Sequence, residues 1–261
     1  MKPFAPGYKR TEEGWIIFPK DHEIRLQWFP PEVMRHPAKA NIHMIDAIVD
    51  MVSSEGDTIL DPMSGTGTIM LQALRGRRVY CVEVEEGYHT LQKQALATLE
   101  AMRPDIRGRV MLIHADCRRV LPLPCDHIIF SPPYGTALKA VGPGSLKTGT
   151  YDGFMGDYSK DPSNVGNVNR FFHNQAMEKV YGLCYESLRP GGTMTVIIRD
   201  QMEQGKRVYL SKWMERVCLR AGFDVVAWNK RYQTSTAFKE VLRVRGYGIV
   251  TDEDIVTFRR A

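Results

Sequence analysis

Ser131-Pro132-Pro133-Tyr134 follows directly on the apolar run at 128–130. Two consecutive prolines remove two backbone donors and fix two φ angles, so a sheet ladder must stop there and the next side chains stand rigidly at its edge. A plain strand terminator has the same appearance. The chemistry these residue types permit is a clamp for a planar group, with Tyr134 stacked on its face and Ser131 and the Pro132 carbonyl taking its polar edge.

A second constellation lies upstream in Asp61-Pro62-Met63-Ser64-Gly65-Thr66-Gly67-Thr68. Gly65 and Gly67 let backbone amides close on a ligand at a helix N-terminus, where unpaired donors favour an anionic or carboxylate-bearing group. A dinucleotide fingerprint would carry a third glycine where Met70 stands. Asp61 opposes a phosphate but accepts from an ammonium. Glu83 ends the next strand, about twenty residues past the glycines, where an acid typically receives ribose hydroxyls. Asp116, beside Cys117, follows the third strand and is placed to accept from an adenine amino group. Each acid alone reads as a solvated loop residue. Three at successive strand ends, where open α/β sheets bind ligands, describe an adenosyl group joined to an amino acid.

These residues need a parallel sheet to bring them together, and the hydrophobic pattern supplies one. Residues 36–57 read as a helix, because Ile42, Ile45, Ile48, Met51 and Val52 recur at helical spacing before Gly56. Strand 58–61, a helix over Thr68 to Arg75, strand 79–83, a helix over Glu86 to Met102, and strands 110–113 and 126–130 alternate thereafter. A helix over 171–188 stops at Arg189-Pro190-Gly191-Gly192, followed by strand 193–200, helix 208–221 and two late strands at 223–230 and 240–250. Such alternation predicts a single α/β domain over 1–261, with helices on both faces of a mostly parallel sheet. Between 135 and 170 the pattern lapses into a Gly-, Asn- and Asp-rich stretch longer than ordinary loops, a candidate recognition loop.

The chain has 261 residues, a net charge of +5 and five cysteines without a C-x-x-C pair. Its charge permits a polyanionic partner without requiring one. Buried reduced thiols are the expected state of Cys81, Cys117, Cys125, Cys184 and Cys218. No stretch approaches the roughly 18 apolar residues of a membrane span, and the N-terminus has no apolar signal core. A cytoplasmic protein without membrane contact is expected. His36, His43, His114, His127 and His173 show no metal-ligand spacing, and no metal is expected.

Taken together the motifs resemble those of the S-adenosylmethionine-dependent DNA amino-methyltransferases, which make N4-methylcytosine or N6-methyladenine. The resemblance spans residues 35 to 230, with the cofactor block ahead of the SPPY block. It implies a Rossmann-like fold with a seven-stranded sheet and a late antiparallel hairpin, formed by 223–230 and 240–250. It also implies S-adenosylmethionine as cofactor, held by His36, Pro37 and Lys39 near its methionine end, by residues 61–68, by Glu83 and by Asp116, Cys117 and Ser131. Ser131, Pro132, Pro133 and Tyr134 become the catalytic clamp on a base flipped from duplex DNA or taken from a single strand.

SPPY most often accompanies cytosine N4 in that family, so N4 is the expected target, with adenine N6 and an RNA guanine N2 as alternatives. A non-catalytic binding module has little use for a base clamp. Ring-carbon methylation would need a cysteine nucleophile, and Cys125 lies before strand 126–130, at the wrong end of it. Many relatives carry a separate target-recognition domain. This chain offers only 135–170 and a short tail, which implies slight sequence specificity or a separate specificity or nuclease subunit. Lys139, Lys147, Lys160, Arg170, Lys206, Arg207, Arg231, Arg243 and Arg245 are candidates for a phosphate track or plain solvated surface.

Overall fold

A computed structural model describes residues 1–35, 39–133, 164–203, 205–233 and 249–261. In chain order the strands are β1 (Lys9–Arg10), β2 (Ile16–Ile17), β3 (Thr58–Asp61), β4 (Arg78–Glu83), β5 (Val110–His114), β6 (Cys125–Phe130), β7 (Leu188–Ile198), β8 (Gln201–Glu203), β9 (Lys206–Val208), β10 (Phe223–Tyr232) and β11 (Asp252–Arg260). The α-helices are α1 (His22–Trp28), α2 (Ile42–Val52), α3 (Glu86–Met102), α4 (Cys117–Val120), α5 (Arg170–Ser187) and α6 (Leu210–Arg220). One sheet runs β1-β2-β10-β11-β7-β6-β3-β4-β5. Its strands from β7 to β5 are parallel, and β11 pairs antiparallel with both β7 and β10.

Alternation along the central strands sends side chains to two cores. Ile59, Ile129, Ile197 and Ile255 pack on the face covered by α2, α3 and the 3-10 helix Thr68–Arg75. Leu60, Ile128, Phe130, Val196, Val256 and Phe258 pack on the other face with α5 and α6. A central strand buried on both sides must be apolar at every position, which is how 59–60 and 128–130 read. Each such fully buried side chain contributes on the order of 2 kcal/mol.

Helix α2 starts where Asn41 accepts from Met44 N at 3.1 Å, and α5 where Asn169 accepts from Phe172 N at 3.1 Å. α3 has the bounds read from its periodicity. Thr68–Arg75 is helical as expected, but it winds as a 3-10 helix between Gly67 and Gly76, both at positive φ. The expected turn at Arg189–Gly192 is instead part of β7, which begins as soon as α5 ends. Gly192 is required there, since a Cβ would lie 2.6 Å from the Asp126 carbonyl oxygen.

The hairpin partner of β10 is also corrected. It is β11 at Asp252–Arg260; residues 240–248 of the expected strand lie outside the described residues. Among the described residues the sheet has nine strands instead of the expected seven, because β1 and β2 extend the edge beyond β10, where Arg231 pairs with Ile16. Two-residue strands leave no alternation to read. Among the described residues no helix is long and apolar enough to cross a membrane.

Candidate active site

Parallel order puts the C-terminal ends of β3, β4, β5 and β6 on one edge, and a cleft opens there. It is lined by Lys39, by residues 61–66 and Thr68, by Glu83, by Asp116 and Cys117, and by Ser131, Pro132 and Pro133. The fold therefore gathers nearly every nominated residue from five separate segments. Gly67 lies behind the wall: its positive φ turns the chain into the 3-10 helix, and a Cβ would meet Met70 at 2.7 Å. His36, Pro37, Tyr134 and residues 135–163 lie outside the described residues.

The glycine loop is held from below. Gln92 of α3 donates to Ser64 Oγ at 2.8 Å and to the Gly65 carbonyl at 2.6 Å, while Ser64 Oγ donates to the Val82 carbonyl at 3.0 Å. Gly65 N donates to Glu83 Oε2 at 2.6 Å and Glu85 N to Glu83 Oε1 at 2.9 Å, so the second acid also organises the loop.

The cleft acids differ in their surroundings. Burial pushes the Asp61 carboxyl up to about 8 against the pull of the Met63 N–H, and neighbouring Glu83 adds to the push. Burial likewise takes Glu83 up to about 7, despite its bonds from Glu85 and Gly65. For Asp116 burial also pushes upward, but Arg118 overcomes it and holds the carboxyl below its ordinary range. Arg118 Nη2 donates to Asp116 Oδ2 at 2.6 Å, and Arg118 N caps onto Asp116 Oδ1 at 2.9 Å. Lys39 is brought down to about 8 by burial and by the Arg25 cation.

Arg25 escaped the sequence reading. It is 1% exposed and donates to Asp21 Oδ2 at 2.6 Å, the Ala40 carbonyl at 2.7 Å and Thr68 Oγ1 at 2.9 Å. One guanidinium thus ties α1, the segment before α2 and the glycine loop together. Glu85, Tyr88, Asn164 and Val165 complete the cleft wall. Asn164 donates to Glu85 Oε1, so the end of the 135–170 segment folds onto the rim. Tyr88 and Gln92 are four apart on α3, a spacing that shares one helix face and was available as a signal.

Ser131 and Pro133 are partly buried beyond the end of β6. His173 Nε2 donates to the Pro133 carbonyl at 2.8 Å and fixes that peptide from α5. Cys125 sits at the other end of β6, buried and pushed up to about 12 by burial, an inert thiol. Cys117 in the cleft is likewise pushed up to about 12. All five cysteines are free and buried. Among the described residues no group of three His, Cys, Asp or Glu side chains is placed to hold a metal ion.

Residues 5–94 match a family model described as DNA methylase, of the N6/N4 type. That match begins well ahead of residue 35 and includes Arg25, Lys39, Asp61 and Glu83. Among solved structures the chain is similar to TrmN from Thermus thermophilus, at 17% identity and TM-score 0.53, over 86% of this chain and 50% of that one. It thus spans half the length of that relative. It is also similar to the glycopeptide N-methyltransferase MtfA complexed with sinefungin, at 14% identity and TM-score 0.52 over 86% and 88% of the two chains. A SAM-dependent methyltransferase from Methanosarcina mazei aligns at 11% identity and TM-score 0.52 over 82% and 96%. The fold is the Rossmann-like methyltransferase fold.

Proposed function

We propose that the protein is an S-adenosylmethionine-dependent methyltransferase acting on the exocyclic amino group of a base in DNA, with cytosine N4 as the target. The observation that carries this is one cleft holding the glycine loop, two acids without a cationic partner and the Ser131-Pro132-Pro133 end of β6. The DNA methylase match over residues 5–94 supports it, as does the bound sinefungin, a cofactor analogue, in the similar MtfA structure.

The residues fit that cofactor chemically. Asp61 and Glu83 are raised because burial costs their charge, and a ligand presenting an ammonium and hydroxyl donors relieves that cost. Asp61 faces the ammonium, Glu83 the ribose, and Lys39 with the Thr68 hydroxyl the carboxylate. His36 and Pro37 are assigned to that end from their place in the sequence alone, and Pro62, Met63, Ser64 and Thr66 shape the loop around the ligand. Asp116, already bonded to Arg118, orients an adenine edge with Cys117 beneath it. When bound, S-adenosylmethionine supplies a methyl group carried on a sulfonium.

The base amino nitrogen is a poor nucleophile because its lone pair is delocalised into the ring. The base must also leave the stack to reach the cleft. Tyr134 stacks on it, while Ser131 Oγ and the Pro132 carbonyl accept its two amino hydrogens and favour a pyramidal nitrogen. That nitrogen would take the methyl as the methyl's bond to the sulfonium sulfur breaks, leaving a neutral thioether, and would give up one proton to solvent. Pro133, held by His173, keeps the clamp rigid. Most of the rate comes from orientation and fixed dipoles. Sequence choice falls to the 135–170 candidate recognition loop and in part to a separate specificity subunit.

Incubation with methyl-labelled S-adenosylmethionine and duplex DNA, single-stranded DNA or RNA, followed by mass spectrometry of the nucleosides, tests this. Labelled N4-methylcytosine in DNA is expected. N6-methyladenine keeps the clamp and changes the base. Label confined to RNA overturns the DNA assignment.

A further inference from the structure

A second groove runs beside the cleft, between α4 and the first half of α5, and shares Asp116 and Val165 with it. On α5, Phe172, Gln175, Ala176 and Lys179 all line it. Their spacing of three, four and seven residues makes one continuous stripe on the helix. A stripe facing a core would be apolar, yet here only Ala176 is buried, while Phe172 is 56% exposed and Gln175 and Lys179 face solvent. Phe171, 65% exposed, meets the Phe172 ring edge-on at 5.5 Å.

Across the groove, Arg118 is matched by Asp116. Arg119 and Lys179 form no ion pair among the described residues, so the groove carries two uncompensated cations. Two of the cations nominated from sequence behave oppositely: Arg207 is engaged with Asp200 and Asp252, and Arg231 with Glu253.

We propose that this groove binds the nucleic-acid strand flanking the base that enters the cleft, with phosphates on Arg119 and Lys179 and a neighbouring base on the exposed face of Phe172. The inference rests on the nucleic-acid reading of the cleft and adds the surface that receives the strand. Charge complementarity selects a polyanion over a protein or a lipid tail. An exposed aromatic beside the cations suits a strand with an unstacked base. Continuity through Asp116 and Val165 places the groove next to Ser131 and Pro132, where a flipped base must arrive.

The test is fluorescence anisotropy of labelled, mixed-sequence single-stranded and duplex DNA against the full chain over a range of salt, with cofactor binding measured in parallel. Wild type is expected to bind with a salt-dependent affinity. Arg119→Ala/Lys179→Ala is expected to weaken binding at low salt and to lower the slope of log affinity against log salt by about 2. Phe172→Ala is expected to weaken binding to single strands about tenfold with the slope unchanged. Lys93→Ala/Arg107→Ala removes two exposed cations near α3, on the other face of the sheet, and is expected to leave both quantities unchanged.

Wild-type binding with unaltered affinity and slope in the groove variants overturns the groove while leaving the cleft reading intact. A parallel loss of cofactor affinity in those variants assigns the residues to the cleft and also overturns the groove. A wild type that binds no nucleic acid overturns the cleft reading along with it.

Discussion

At the C-terminal ends of β3 and β4, Asp61 and Glu83 face a cleft where they accept from backbone N–H groups and, among the described residues, form no ion pair. On the same edge of the same sheet, where β7 ends and β11 begins, Asp200, Asp252, Asp254 and Glu253 are buried too, yet every one of them is paired. Arg207 bridges Asp200 and Asp252, Lys230 bridges Asp252 and Asp254, and Trp228 Nε1 donates to Asp254 at 2.6 Å. The consequences run in opposite directions. Burial raises Asp61 and Glu83, whereas for Asp252 burial is outweighed by Arg207 and Lys230 and the carboxyl falls below its ordinary range. Position at a strand end therefore does not make an acid a ligand group. On the proposed function, what separates a binding acid from a structural one is whether the protein supplies the countercharge itself, and Asp116, with Arg118, stands between the two.

The contrast breaks if substitutions on its two sides have the same effect. Asp61→Asn is expected to weaken S-adenosylmethionine binding by up to about 100-fold, the scale of a lost hydrogen bond to a charged partner, with folding stability unharmed; calorimetric titration and urea unfolding read the two quantities. Arg207→Met is expected to do the reverse. It leaves Asp200 and Asp252 short of a partner and lowers unfolding stability by about 2 kcal/mol, less than for a wholly buried pair because the arginine is partly exposed, with cofactor affinity nearly unchanged. Asp116→Asn sharpens the middle case: Arg118 already balances this acid, so a loss of about threefold in cofactor affinity is expected, and a loss as large as that of Asp61→Asn would place Asp116 among the binding acids.

The stability of the free protein carries the same signature. Asp61 binds its proton more tightly folded than unfolded, so it costs stability as pH rises from about 4 to about 8. Asp252 has the opposite sign: its contribution is complete above the ordinary carboxylate range and is lost only as pH falls through its lowered value.

The three cleft acids were legible because each follows an apolar run: Asp61 after Thr58-Ile59-Leu60, Glu83 after Val79 to Val82, and Asp116 after Val110 to Ile113. The structural acids were hidden for a related reason. Asp252, Glu253 and Asp254 open β11 with three charges, a poor strand by composition, and they are buried only because Arg207, Lys230 and Arg231 lie far away in sequence. The alternation at 240–250 drew the hairpin assignment away from them. Arg25 was invisible for the same cause: it sits in the seven-residue α1, and its burial depends on Thr68 and Ala40, neither adjacent in sequence. Helix α3 was read to its correct bounds because its apolar face, with Leu91, Ala95 and Leu99, is local and periodic.

The most direct test is calorimetric titration of S-adenosylmethionine into the wild-type protein at several pH values, each in two buffers of different ionisation enthalpy. A cleft that takes the cofactor ammonium on Asp61 must expel that acid's proton first. Binding is expected to release protons at pH 7, to strengthen as pH rises toward about 8 and then to level off, with the release gone above that value. Absence of binding, or binding with no proton released at pH 7, would contradict the assignment of Asp61 and Glu83 as acids kept without countercharge for this cofactor.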